Sequence, residues 1–438
     1  MRNYLRWILA SGVSMSALGL MGCELKQTAP IAVNGAALHG SVHGGQQPIS
    51  GSSIKLYAAG SSGYGSAYGY STGTDLLGNN VVTTDVNGNF NITGDYTCPS
   101  ASTPVYLAAI GGNPGNSQNN VNISLMAALG ACGNLTPSTF ISMNEVTTVA
   151  TVYALSQFMT SVANVGTSAT NAQGLAHAFA TVNKLADIST GSASGPALPA
   201  GATLPVAKIN TLANILAACV NSAGGVAGDG SVCGTLFADT TVGGVAPTDT
   251  VGAMLNLAQH PNTQTMSLTN LASSSAPFQP SLITAPTDYS IVISYVGGGL
   301  SSPTGIAMDP SGNIWVPDAG NNSVTKLDNT GTAISGAGGF TAGPLNAPSA
   351  IALDTSGNAW VTNGNNTVTM LNASGSSGTV YSGGGLNSPV SVAIDALGSA
   401  WVSNAGNGSV TTITSGGVLT NYTGAGIASP AAIAIDPK

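Results

Sequence analysis

Charge is what this sequence lacks most. Of 438 residues only 8 are Lys or Arg and 16 are Asp or Glu, so charged residues make up 5%, where a soluble domain ordinarily carries about 25%. Eight scattered cations cannot neutralise a run of phosphates, which excludes nucleic acid as a partner. No polybasic cluster exists to hold an anionic membrane surface. Histidine is nearly as scarce, with 4 in the chain, leaving little general-base chemistry near neutral pH. The sequence contains no Gly-x-x-x-x-Gly-Lys, Gly-x-Ser-x-Gly, His-Glu-x-x-His or Cys-x-x-Cys, so local signatures for phosphate binding, serine hydrolysis or zinc are missing. From these absences neither catalytic residue, metal site nor cofactor is expected. What is present is apolar and small: 43% hydrophobic residues, 59 Gly and 22 Pro. That is too apolar for a disordered chain, and Ser, Thr, Asn and Gln must wet the surface in place of ions.

Arg2 and Arg6 precede an apolar stretch from Trp7 to Leu20, too short to span a bilayer as a stable helix, followed by Leu20-Met21-Gly22-Cys23. This run resembles a bacterial lipobox. The resemblance implies a signal peptide over 1–22, lipidation at Cys23, a tether over 23–37 and membrane attachment through the acyl chains. Glu24 is not the Asp that resembles an inner-membrane retention signal, so the expected place is the cell envelope, at the outer membrane or cell surface. Setting Cys23 aside leaves Cys98, Cys132, Cys219 and Cys233, an even number that reads as two disulfides in an oxidising compartment. Three connectivities are open. The sequential one, Cys98–Cys132 with Cys219–Cys233, is favoured because each pair stays inside one predicted domain.

The fold class expected is multidomain and mainly β with a helical middle. Over 38–130, short alternating runs such as Leu38 to Val42, Ile54 to Tyr57 and Val105 to Ile110 read as strands, with Asn87-Gly88 as a hairpin turn. This segment resembles carboxypeptidase-regulatory-like domains, which implies a small non-catalytic β-sandwich. His39 and His43 share a strand face but lack a third metal ligand. Tyr64, Tyr68 and Tyr70 lie in a Gly-rich loop and offer stacking surface. Over 140–275 the period changes to 3.6. Ser142 with Glu145 predicts a capping box, and helices are expected near 172–187, 205–222, 249–259 and 263–273. Cys219–Cys233 would staple the 205–222 helix to a Gly-rich loop.

Residues 286–438 repeat. Pro303, Pro348, Pro389 and Pro430 are each followed six residues later by Asp309, Asp354, Asp395 and Asp436, and the first three Asp by Trp315, Trp360 and Trp401 after six more. The step is 45, 41 and 41 residues, the length of a four-stranded propeller blade. The motif resembles NHL repeats and streptogramin-lyase-like propellers, which implies a partial β-propeller of about three blades and one further strand. That count leads to the expectation of a truncated product or incomplete reading frame, with blades supplied by a partner or a tolerated open arc as the alternatives. The related enzymes use propeller histidines or a central cation, yet this region has no His and no Glu. Asp318, Asn363 and Asn404 follow each Trp-Val strand and are the candidate ligand surface. The expected function is a non-enzymatic envelope scaffold for an unidentified protein or glycan. The alternatives are a lyase- or lactonase-like enzyme whose catalytic blades are absent from this chain, or a structural envelope protein without a specific ligand.

Overall fold

The computed structural model describes residues 31–66, 75–272, 276–424 and 426–436. The lipobox with Cys23, and Tyr68 and Tyr70, lie outside the described residues. Within them the chain is mainly β, with six α-helices and many small sheets.

Two sheets form the amino-terminal part. One joins Ser53–Ala58, Pro104–Ile110 and Ser124–Ala131 in antiparallel order, with Val82–Thr83 at its edge. The other centres on Leu38–Gly44, paired antiparallel with Asn89–Ile92 and parallel with Phe140–Met143. Leu38, Val42, Phe90, Leu107, Leu125 and Ile141 fill the space between them. Strand Pro104–Ile110 is buried on both faces. Val105, Leu107 and Ala109 point to this core, while Tyr106 and Ala108 point into a second core shared with the helices. The helical stretch thus lies directly on the sheet instead of forming a cluster of its own. Val33–Asn34, expected in the tether, pairs with Thr97–Cys98.

The helices are α1 (Glu145–Leu155), α2 (Ala172–Leu185), α3 (Val206–Val220), α4 (Val232–Asp239), α5 (Thr250–Gln259) and α6 (Thr265–Leu271). The capping box sits two residues beyond the expected one. Asn144 caps α1 and exchanges bonds with Thr147, because Ser142 is drawn into the parallel ladder opposite Ser41. Helix α4 occupies what reads as a Gly-rich loop, and Ser231 caps it through Gly234 N–H. The disulfides are Cys98–Cys132 and Cys219–Cys233, with Cα separations of 6.2 and 4.6 Å. The second joins α3 to α4, not to a loop.

Three antiparallel sheets follow in sequence. The first holds Ala307–Met308, Ile314–Asp318 and Ser323–Leu327. Its expected fourth strand is reduced to the bridges Val324–Phe340 and Leu327–Ala333. The second runs Ile351–Leu353, Ala359–Asn363, Thr367–Leu371 and Gly378–Ser382. The third runs Pro389–Ile394, Ala400–Asn404, Ser409–Ile413 and Leu419–Thr423. Each sheet stacks on the next through its central tryptophan. Trp315 meets Ala359, Val361 and Leu371 of the second sheet, and Trp360 meets Ala400, Val402 and Ile413 of the third.

Candidate binding site

The repeat residues first serve the fold. In each sheet the Asp closes the turn after the first strand. Asp309 Oδ1 accepts from Ser311 and Asn313 N–H, Asp354 Oδ1 from Ser356 and Asn358 N–H, and Asp395 Oδ1 from Leu397 and Ser399 N–H. The second oxygen of each takes the indole N–H six residues on, at 3.2, 3.2 and 2.9 Å. The six-residue spacing is therefore a hydrogen-bond length across a hairpin. The indole bond and the turn amides hold the Asp395 carboxyl below its usual range. Burial pushes Asp309 up, but bonds from Asn313, Lys326 and Trp315 outweigh it and hold it low. Lys326 Nζ lies 3.1 Å from Asp309, 4.3 Å from the Trp315 ring centroid and 3.1 Å from Ala373 O on the next sheet.

Each tryptophan also packs on an aromatic that the repeat reading missed, Phe340 at a tilt and Tyr381 and Tyr422 stacked, with centroids 5.7, 5.3 and 5.7 Å away. All three stand eight residues before the next repeat proline, as does Tyr295 before Pro303. That spacing was readable. The residue before each proline, Ser302, Ala347, Ser388 and Ser429, has a left-handed backbone with φ of 41–48°. Asn322 Oδ1 and Asn366 Oδ1 accept from Ala347 and Ser388 N–H at 2.7 Å, tying one sheet to the next loop.

Asp318, Asn363 and Asn404 do not form a ligand surface. All three are fully buried. Asp318 accepts from Ser301 and Thr325 N–H. Asn363 and Asn404 accept from Asn346 and Asn387 N–H and donate to hydroxyls of the third strand, Thr369 and Thr411 among them. They pin each leading loop to its sheet. Burial raises the Asp318 carboxyl. Pro430 and Asp436 begin a fourth copy that lies beside the third sheet without regular strand structure, Ile433 N–H reaching Ser391 Oγ at 3.4 Å.

A concave feature lies elsewhere, where the start of α2 faces the first two repeat turns. This cleft holds about 560 Å³ and is lined by Thr170, Asn171, Gln173 and His177 on the helical side, and by Met308, Pro310, Leu353 and Thr355 with Asp309 and Asp354 on the repeat side. His177 crosses to the repeats, its Nε2 lying 3.1 Å from the Asn329 side-chain amide. Asn171 donates to Tyr64 OH at 2.6 Å, and Tyr64, exposed and stacked on Phe158, extends that wall. Asp309 and Asp354 are committed to their turns, so the groups left to meet a ligand are amide, hydroxyl and imidazole over an apolar floor of Met308 and Leu353. Helix α2 had no sequence signal as a site. In the sequence alone His177 reads as a surface or cap residue. Among the described residues no three His, Cys, Asp or Glu side chains converge as a metal site.

Residues 300–327 match the NHL repeat family. The match covers one repeat, from Leu300 through the third strand of the first sheet, and the three sheets are propeller-like. No curated protein matches the chain. Among solved structures it is similar to a streptogramin B lyase, at 21% identity over 31% of this chain and 45% of that chain, with a TM-score of 0.28. A catalytically inactive virginiamycin B lyase from Staphylococcus aureus, with quinupristin, gives 22%, 32%, 48% and 0.28 on the same measures. A functionally unknown protein from Desulfotomaculum acetoxidans gives 22%, 33%, 50% and 0.27. The chain thus spans about half the length of these structures. Likeness at this level carries nothing about activity.

Proposed function

We propose that this chain is a non-enzymatic cell-envelope lipoprotein. In this reading Cys23 carries the lipid anchor, the amino-terminal sheets are a carboxypeptidase-regulatory-like β-sandwich spacer, and the NHL repeats form part of a β-propeller, about three blades of it. These blades, with α2, are a scaffold that binds a protein or a glycan. The observation that carries this is the cleft: neutral donors and acceptors stand over Met308 and Leu353, and the neighbouring carboxylates already serve turns and indoles. Such a surface suits a neutral, hydroxyl-rich ligand, recognised by hydrogen bonds and apolar contact. Binding of envelope glycans and surface proteins to the full chain, compared with Gln173→Ala and Thr355→Ala, tests it. A ligand bound at least tenfold more weakly by the variants is the expected result; a ligand indifferent to both removes the cleft from the reading.

A lyase- or lactonase-like activity is the second reading, and His177 favours it, because it brings an imidazole to repeats that have none. Turnover of a cyclic ester or lactone lost in His177→Ala would establish it. Mass spectrometry of the mature amino terminus tests the anchor, with a diacylglyceryl-modified Cys23 expected and an unmodified residue contradicting it.

A further inference from the structure

Tyr64 is an exposed aromatic that is nonetheless held in place. Its loop is tied by backbone bonds to the segment between α1 and α2. Gly63 N–H donates to Thr167 O at 3.1 Å, Gly65 N–H to Phe158 O and Gly166 O at 3.2 and 3.1 Å, and Ser62 bridges Ser168. One face of the ring stacks on Phe158, with centroids 5.7 Å apart and 27° between the planes, and Phe158 is itself packed against the helical core. The hydroxyl accepts from Asn171 Nδ2 at 2.6 Å. Gly174 leaves room for that arrangement, because a Cβ there would collide with Asn171 Oδ1. With one face on Phe158 and 59% of the residue exposed, the opposite face is open among the described residues.

A ring fixed from behind and at its hydroxyl has already lost its rotamer freedom, so a ligand landing on it pays little ordering cost. Its chemistry restricts what lands there. The negative face of the ring attracts C–H hydrogens, while Asn171 and Gln173 amides and Thr170 and Thr355 hydroxyls stand in the adjoining cleft. A pyranose with equatorial hydroxyls answers both demands, since its axial C–H hydrogens form an apolar face and its hydroxyls lie at the rim. A protein anchor would instead fill an enclosed apolar pocket. An anionic glycan is disfavoured by Asp309 and Asp354 beside the cleft and by a net charge of -8.

The geometry points to a neutral, β-linked glycan as the ligand, with one pyranose stacked on the open face of Tyr64 and the following units running past Asn171 into the cleft. This rests on the cleft reading above, and adds to it the ligand class and a stacking residue outside the cleft lining.

The test is calorimetric titration of the full chain with cellohexaose, with chitohexaose and, as the anionic counterpart, with a galacturonic acid hexamer. Saturable binding of at least one neutral hexasaccharide is expected, at least tenfold tighter than the anionic one. Tyr64→Ala and Tyr64→Leu should each weaken it at least tenfold, because leucine is apolar but not flat, and Tyr64→Phe less than threefold. Tyr64 is exposed, and the Phe variant keeps its packing on Phe158, so a fold defect is separable from loss of the platform. Failure of both neutral hexasaccharides to bind, or preference for the anionic one, overturns the inference. Binding weakened by Gln173→Ala but not by Tyr64→Ala overturns it and leaves the cleft reading standing, as does a surface protein that needs Gln173 where the sugars do not bind. Binding indifferent to Tyr64, Gln173 and Thr355 alike removes both.

Discussion

Glu145 stands fully buried at the start of α1, its carboxylate accepting from Gly45 N–H at 2.9 and 3.1 Å in the turn after Leu38–Gly44. Burial outweighs that bond and pushes its pKa from 4.5 up to about 8. Between those values the folded chain keeps a proton that the unfolded chain has released, so stability falls as pH rises across this window. Thermal melts at pH 5 and pH 8 should show a Tm loss that Glu145→Gln largely abolishes; equal losses in both proteins would contradict this. Ala347 makes a second residue-scale case. It carries a Cβ at a φ of 41°, a conformation that costs an L-residue roughly 1–2 kcal/mol, part of which Gly would return as unfolded-chain entropy. Ala347→Gly is expected to raise stability in urea denaturation by a few tenths to about 1 kcal/mol. Neither residue was legible from local sequence. Glu145 reads as a capping-box acid, and only the parallel pairing of Phe140–Met143 with Leu38–Gly44, some 100 residues apart, moves it inward. The αL position recurs before every repeat proline, but nothing in the residue types Ser and Ala announces it.

At the scale of elements, hydroxyls do the work that the missing charges would do. Strand Ser124–Ala131 is the edge of its sheet, yet its amides are not left open. Thr148 Oγ1 accepts from Met126 N–H at 2.9 Å, Thr151 Oγ1 from Ala128 N–H at 3.1 Å and Thr250 Oγ1 from Ser124 N–H at 3.0 Å. Helices α1 and α5 thus close the edge that would otherwise template association. Thr148→Val keeps the shape and removes the acceptor, leaving a buried amide unpaired. Its expected cost in denaturant unfolding is about 1–3 kcal/mol, and a change within error would show that the edge needs no such closure. Helix positions were largely legible because apolar spacing encodes them, as for α5, where Asp249 caps Thr250–Gln259. Helix α4 was not, since Gly-rich flanks masked a short helix held by Cys219–Cys233 and by Ser231. The repeat was legible for a different reason: Asp-to-Trp spacing is a local hydrogen bond, so it survives in sequence as a fixed count. The asparagines that join successive sheets act across 22–25 residues and leave no such count.

For the whole molecule, the scarcity of charge now has a structural counterpart. Three ion pairs hold among the described residues, Lys55–Asp75, Lys208–Asp288 and Lys326–Asp309, and most acids serve turns. The largest functional error of sequence reading follows from the same economy. Asp318, Asn363 and Asn404 were expected at a surface because they are polar and recur, and they are buried because polar side chains here replace ions as internal ties. The candidate cleft lies instead where α2 meets the repeats, a juxtaposition of residues about 180 apart that no repeat pattern contains. Because few charges face it, recognition there should depend little on ionic strength. The most direct test is equilibrium binding of the best envelope glycan or surface protein to the full chain at about 0.05 and 0.5 M salt, a step that shortens the screening length about threefold, with Gln173→Ala and Thr355→Ala alongside. The expected result is a Kd that changes less than about threefold with salt, weakens at least tenfold in the variants, and is accompanied by no chemical change in the ligand. A steep salt dependence, variant-independent binding, or ligand turnover that needs His177 would contradict the account.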